Sequence, residues 1–226
     1  MCNFRPGPRR TSTRSPNAHV MDSVERLQLL DWQRTVGELY RMIRLSPDPP
    51  AAWASWCTAR DVLFRDHPQS PFSAPDRSGH RAISYFQYDP RARIVADVED
   101  IEPLLREIPT SEGTAYVFAR FAVARFELFG QACELDLYWL EGYGGGLFLP
   151  FRDGTTGTET YGGGRYLLDT VKGADLGVED GRLVLDFNFA YNPSCAYDPR
   201  WVCPLAPAGN RLPVPLRAGE RAFLSE

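Results

Sequence analysis

Residues 115–140 read AYVFARFAVARFELFGQACELDLYWL, and this stretch decides the fold. Its second half alternates. Cys133, Leu135, Leu137 and Trp139 fall on one side of an extended chain, and Glu134, Asp136 and Tyr138 on the other. Successive side chains of a strand point to opposite faces, so this is the pattern of a half-buried strand. Before it, residues 115–129 form a long run of aromatic and small apolar side chains that ends at the turn Gly130-Gln131. Two strands joined so tightly form an antiparallel hairpin.

A period of two recurs on both sides of the hairpin. Residues 82–88 and 93–98, separated by Asp89-Pro90, are predicted strands, as are residues 147–151, 165–170, 182–190 and 212–216. About eight short strands with hairpin-length connections predict an antiparallel meander, closed into a barrel or folded as a sandwich. A parallel sheet would need crossover helices, and none is legible after residue 66. Upstream the period lengthens. Asp22 or Ser23 can cap a helix whose stripe is Val24, Leu27, Leu30, Trp32, Val36, Leu39, Tyr40 and Ile43, ending before Ser46-Pro47-Asp48-Pro49-Pro50. A second helix, from about Ala51, carries Trp53, Trp56, Arg60 and Leu63 on one stripe and must end by His67, because Pro68 disfavours helical geometry before it. The predicted fold class is therefore mainly β with N-terminal helices (α+β). Residues 1–20 are a tail, residues 21–66 a helical segment, and residues 67–226 a β domain that forms one globular unit with the helices.

Composition narrows the function classes. Among the 25 basic residues Lys172 is the single lysine, which reflects a coding bias toward arginine. Four of the arginines (Arg5, Arg9, Arg10 and Arg14) precede residue 21, so the remaining chain carries 21 basic against 29 acidic side chains. Such a balance attracts no polyanion, and no nucleic-acid partner is expected. No apolar run approaches the roughly 20 residues that span a bilayer, so no membrane partner is expected either. Residues 1–20 are rich in Pro and Arg and lack the apolar stretch of a secretory signal; they are expected to be disordered, with Met21 as an alternative start. The cysteines Cys2, Cys57, Cys133, Cys195 and Cys203 are odd in number and irregular in spacing, which fits reduced thiols in a cytoplasmic protein.

Three stretches near the C-terminus could carry chemistry. The first runs from Phe151 to Arg165, FRDGTTGTETYGGGR. Its glycines would let backbone amides approach a ligand, and Arg165 adds a planar charged fork suited to a carboxylate or phosphate. It lacks the Lys-Ser/Thr ending of a P-loop, and the alternative is a tight loop whose Asp and Thr side chains satisfy their own backbone. The second, residues 183–192, puts Leu183, Leu185, Phe187 and Phe189 on a core face and Val184, Asp186, Asn188 and Ala190 on the other. There Asp186 could meet Arg165, either lining a pocket or forming a buried polar network. In the third, Tyr191-Asn-Pro-Ser-Cys-Ala-Tyr-Asp-Pro-Arg-Trp-Val-Cys-Pro204, two cysteines lie further apart than in zinc knuckles. Two buried thiols are the leading reading. Zinc on Cys195, Cys203 and a histidine, or a catalytic Cys195 with His67 as base, are the alternatives, and neither a metal nor another cofactor is expected.

These motifs resemble the bacterial and archaeal family catalogued as domain of unknown function 1684. The resemblance rests on His67-Pro-Gln-Ser-Pro71, Phe151-Arg-Asp-Gly-Thr155, Glu159-Thr-Tyr-Gly-Gly-Gly-Arg-Tyr-Leu167, Asp186-Phe-Asn188, Tyr191-Asn-Pro-Ser-Cys-Ala-Tyr197, Cys203-Pro-Leu205, Asn210-Arg-Leu-Pro-Val214 and Ala218-Gly-Glu220. It covers roughly residues 21–221. Where similar sequences read Pro-Pro-Glu-Asn-Arg, this chain has Ala206-Pro-Ala-Gly-Asn210-Arg211, with Gly209 in place of the acid. The resemblance implies boundaries and a region for the site, and no activity, substrate or cofactor.

The expected function is a site for a small polar or anionic molecule, either hydrolytic or acid–base in its chemistry or purely binding. Arg165 would anchor the anion, Asp186 would be its partner or a general base, and Cys195 is a second catalytic candidate. Asn188, Asn192 and Asn210 would supply hydrogen bonds, and Tyr161 and Tyr191 the walls. The rival is a structural role for all these polar groups, with function in protein contacts through the helices. Convergence of Arg165, Asp186 and Asn192 on one concavity separates the two readings.

Overall fold

A computed structural model describes residues 21–79, 81–142 and 144–223. The expected tail, residues 1–20, lies outside the described residues. Helix α1 (Ser23–Leu45) starts at a capping box: the Asp22 carboxylate accepts the Glu25 N–H at 2.9 Å, and the Glu25 carboxylate accepts the Asp22 N–H at 2.8 Å. The two bonds satisfy amides that the first helical turn leaves free. Helix α2 (Pro49–Asp66) is capped by Asp48, opens on two prolines that fit the first turn, and stops at His67 before Pro68. Its stripe is buried at Trp56, Arg60 and Leu63. On α1 the stripe is used only from Trp32 onward. Val24, Leu27 and Leu30, expected in the core, are exposed.

Seven strands form one sheet: β1 (Arg93–Pro109), β2 (Ala115–Leu128), β3 (Gln131–Leu140), β4 (Gly146–Phe151), β5 (Arg165–Asp169), β6 (Val178–Glu179) and β7 (Arg182–Asp186). They lie in the order β5-β4-β3-β2-β1-β7-β6, and every neighbouring pair is antiparallel. The predicted antiparallel meander is present, but the sheet is not closed into a barrel. A single bridge, Tyr166 to Tyr191, links β5 to the chain beyond β7. The hairpin of β2 and β3 turns on Phe129 (φ 52°) and Gly130 (φ 77°), one residue earlier than expected; positive φ at both central residues matches the right-handed twist of the strands.

Other boundaries moved for identifiable reasons. Strand β1 continues to Pro109, past the predicted end at 98, through an irregularity between Asp100 and Leu104 that accommodates Pro103. Residues 82–88 and 212–216 are extended but lie outside the sheet. In the second, Leu212, Val214 and Leu216 keep the buried alternation, while Pro213 and Pro215 between them cannot donate to a ladder. The predicted strand 182–190 ends at Asp186, whose carboxylate caps a 3-10 turn at Phe187–Phe189 and so abolishes the two-faced alternation. A short helix, α3 (Ala74–Ser78), follows α2.

One face of the sheet packs against both helices. Tyr40, Ala52 and Trp56 share a core with Leu135, Leu137, Phe151, Leu185 and Phe187. A smaller cluster of Ile108, Phe118, Tyr138, Phe148 and Tyr166 occupies the other face near β5. Tyr138 is therefore buried on the face expected to be polar, and Trp139 is 45% exposed beyond the end of the main core.

Candidate functional site

The helices and the edge of the sheet enclose a cavity of about 60 Å³. Trp32, Val36 and Tyr40 of α1, Arg60 and Phe64 of α2, Tyr166 of β5, Lys172, and residues 191–194 line it. The only charged side chains in this lining are the two cations. Their balancing carboxylates stand outside it. Arg60 donates through Nε (3.1 Å) and Nη2 to Oε1 of Glu220, and Lys172 Nζ lies 3.5 Å from Oδ2 of Asp169. Trp56, Phe64 and Tyr191 surround the Arg60 guanidinium at 4.9, 4.8 and 5.2 Å from their ring centres, which holds the charge in place within an aromatic cage.

Glu220 ties this region together. Its Oε2 accepts the Asn192 N–H at 2.7 Å and the Tyr197 hydroxyl, while Oε1 takes Arg60. All of this happens at a fully buried carboxylate. The Asn192 amide orientation is set by Nδ2, which donates to the Arg221 carbonyl at 2.8 Å; its Oδ1 is buried and finds no partner in the protein. The Tyr40 hydroxyl is also buried without a partner, since the neighbouring Trp56 N–H does not reach hydrogen-bond geometry. Burial pushes the phenols of Tyr40, Tyr166 and Tyr191 upward, so their hydroxyls keep their protons.

The expected site residues divide among several places. Tyr191 and Asn192 line this cavity. Arg165 does not meet Asp186. Its Nη2 donates to Asp153 (2.9 Å) and the Leu216 carbonyl (3.0 Å), its Nη1 to the carbonyls of Ala218 and Glu220, and its Nε is buried without a partner. The Gly-rich stretch is the self-satisfied loop of the alternative reading: Asp153 Oδ1 accepts the Thr155 N–H and hydroxyl at 2.6 Å each, and the Thr155 carbonyl accepts the N–H groups of Thr158, Glu159 and Thr160. Asn210 bridges β3 to β4 through the Asp136 backbone and the Pro150 carbonyl, and Asn188 clasps the Asp89 backbone. Arg165, Asp186 and Asn192 thus do not converge on one concavity.

Asp186 lines a separate cavity of about 150 Å³ with Arg44, Arg93 and Glu179. Burial raises its carboxyl to about 6, against the hydrogen bonds from Asn188 and the Arg93 guanidinium 3.9 Å away. A carboxyl with a folded-state pKa above its unfolded value of about 3.9 contributes its full stability below that value and loses it as the pH rises through 6. Asp186→Asn keeps an acceptor for Asn188 and removes the titration. We expect the variant to be about 1–2 kcal/mol more stable than the parent at pH 7.5, with the gap narrowed to about a third at pH 4.5 in urea melts. An equal gap at both values would show that Asp186 stays ionised.

Cys195 is half-buried, with the Tyr161 hydroxyl 3.7 Å from its Sγ. His67 is elsewhere, with Asp31, Gln69 and Trp32 around its ring, so the alternative of a Cys195–His67 pair is not formed. Among the described residues no cluster of three or more His, Cys, Asp or Glu side chains could hold a metal ion. Sequence reasoning passed over Arg60, Asp153 and Glu220. The available signals were a charged residue on the apolar stripe of α2, and two acids inside motifs that carry the resemblance.

A seven-stranded antiparallel sheet, not closed into a barrel and backed on one face by two helices, defines the architectural class. Within it, the chain belongs to the family described as "Protein of unknown function (DUF1684)", whose model matches residues 78–221. The chain is similar to the solution NMR structure of an uncharacterized protein of Haloarcula marismortui, at 35% sequence identity and a TM-score of 0.56, over 76% of this chain and 94% of that one. No curated protein matches. No helix among the described residues is long and apolar enough to cross a membrane.

Proposed function

We propose that the cavity between α1, α2 and β5 binds a small anion that also carries a hydroxyl group, of the hydroxycarboxylate type. The observation that carries this reading is the pairing of two kinds of unmet demand in one lining. Its only charges are the cations Arg60 and Lys172, and it includes two buried polar groups without a partner, the Tyr40 hydroxyl and Asn192 Oδ1. A buried polar group without a partner costs on the order of 1–3 kcal/mol, which a fitting ligand would recover. The anion would sit against Lys172 and Arg60 and accept the Tyr40 hydroxyl, while the ligand's own O–H would donate to Asn192. The volume suits a ligand of a few heavy atoms. Arg165 has no part in this site, because its fork is committed to Asp153 and three carbonyls. Binding suffices for the reading, and no turnover is required.

Glycolate and acetate are the probes. Glycolate should raise the melting temperature, with a stabilisation of about 1.4 kcal/mol once its concentration is ten times its dissociation constant. Acetate, which lacks the hydroxyl, should bind at least several-fold more weakly. Lys172→Met should weaken glycolate binding about tenfold without loss of fold, since the Lys172 side chain is 54% exposed. Equal binding of the two probes would exclude the Asn192 contact. No binding of either, or binding unchanged in Lys172→Met, would remove the site.

A further inference from the structure

The cavity lined by Asp186 shares no residue with the one proposed above as an anion site. It opens between the last turn of α1, the first turn of α2 and the edge of the sheet at β1, β7 and β6. Ile43, Leu176, Val184 and Phe189 give it an apolar wall. Its charged side chains are Arg44, Arg93, Glu179 and Asp186, two of each sign.

Strand register and reach decide how those charges pair. Arg93 of β1 stands directly opposite Asp186 of β7, where a cross-strand ion pair would ordinarily form. The guanidinium passes it by. Its Nη2 donates to Glu179 of β6, and its Nε is left 3.9 Å from Asp186 Oδ2, beyond hydrogen-bond reach. Asp186 Oδ1 accepts the backbone N–H and the side-chain amide of Asn188, at 3.0 and 2.8 Å. Oδ2 accepts no hydrogen bond among the described residues, although the side chain is only 3% exposed. A buried carboxylate ordinarily takes donors on both oxygens, so one acceptor is left for the cavity.

Arg44 supplies the opposite demand. Its Nη1 donates to the Asp175 carbonyl at 2.6 Å and lies 3.4 Å from Asp175 Oδ2. Its Nε and Nη2 make no hydrogen bond among the described residues, and together they form one edge of the guanidinium fork. The Arg44 stem runs across Gly177, at φ 79°, where a Cβ would come within 2.9 Å of Cδ.

We propose that this cavity binds a small zwitterionic amino acid, with its ammonium on Asp186 Oδ2 and its carboxylate on Arg44. The lining selects for the two charges together. A simple amine would meet Asp186 but also two guanidinium groups, and a simple carboxylate would meet Arg44 but also Asp186 and Glu179. A molecule that carries both charges has an attractive partner for each. An ammonium group is a donor only, which is what Oδ2 lacks, and a carboxylate matches the open edge of the Arg44 fork in two parallel bonds. The volume of about 150 Å³ is the room of about five water molecules and suits alanine or valine, whose side chain would lie on the apolar wall.

The test uses the full-length protein and calorimetric titration with L-alanine, propionate and ethylamine. Propionate is alanine without its ammonium, and ethylamine is alanine without its carboxylate. Alanine should bind, and each of the other two should bind at least about tenfold more weakly. Asp186→Asn, which keeps the acceptor for Asn188, should weaken alanine binding about tenfold or more while its melt stays cooperative. Arg44→Gln, on a side chain that is 31% exposed, should weaken it by a similar factor. The comparison of the three probes on the parent protein decides the matter even if a variant does not fold. No binding of alanine, propionate or ethylamine binding as tightly as alanine, or an alanine affinity unchanged in either folded variant would overturn the proposal.

Discussion

Arg165→Met is expected to cost about 3–5 kcal/mol of folding stability, enough to bring an ordinary domain close to unfolding. The argument starts from the Asp153 carboxylate, which is fully buried and takes Arg165 Nη2 at 2.9 Å on Oδ2. Methionine fills similar volume but leaves that charge without a counter-ion. It also removes the donors to the carbonyls of Leu216, Ala218 and Glu220. Those carbonyls belong to a proline-interrupted segment that has no ladder of its own, so Arg165 is the post to which the C-terminal chain is tied. Asp153→Asn added to Arg165→Met should recover part of the loss. The asparagine Oδ1 can still accept the Thr155 and Leu216 N–H groups that Asp153 accepts at 2.6 and 3.2 Å, and the stranded charge is gone. Urea melts of the two single variants and the double measure the coupling directly. A loss below 1 kcal/mol in Arg165→Met would mean that the network does not hold the C-terminal segment.

The elements that were legible in the sequence are those decided by local chemistry. Asp22 and Glu25 sit three residues apart and cap α1; Pro68 ends α2; residues 133–139 alternate after a turn at a glycine. What alternation could not reveal was whether an extended segment joins a ladder. Leu212, Val214 and Leu216 alternate as a strand would, because burial alone imposes that pattern once a chain is extended against a core. Only the intervening prolines distinguish the two cases, and the same residue type demoted the real strand at Pro103. Sequence spacing is silent on which buried charges meet. Arg165 takes its partner from 12 residues upstream, in its own loop, and not from the strand that carries Asp186. Arg60 and Glu220 are 160 residues apart. Of the residues that line the proposed cavity, Tyr191 and Asn192 lie in a stretch singled out from the sequence, whereas the segments that supply its two cations, Arg60 and Lys172, carried no chemical motif.

Glu220→Gln is expected to be as damaging as the loss of Arg165, for a different reason. The carboxylate serves four donors at once: Arg60 Nε and Nη2 on one oxygen, the Asn192 N–H and the Tyr197 hydroxyl on the other. Glutamine retains one acceptor oxygen and presents an NH₂ group where the second was. That group can meet the Tyr197 oxygen if the hydroxyl turns, but it cannot accept the Asn192 N–H. Arg60, 6% exposed among Trp56, Phe64 and Tyr191, is then a buried charge without a counter-ion, so the loss should be about 3–5 kcal/mol. Arg60→Met on top of Glu220→Gln should restore much of it, because a buried pair replaced as a unit is often neutral where one partner removed alone is not. Thermal melts of the single and double variants test this, and a double variant as unstable as the sum of the singles would refute the pairing as the source of the loss. The double variant should keep its fold while losing glycolate binding, since the cavity would have surrendered one of its two cations. Glu220 is thus what makes the buried Arg60 cation tolerable, and the proposed anion site depends on that pairing.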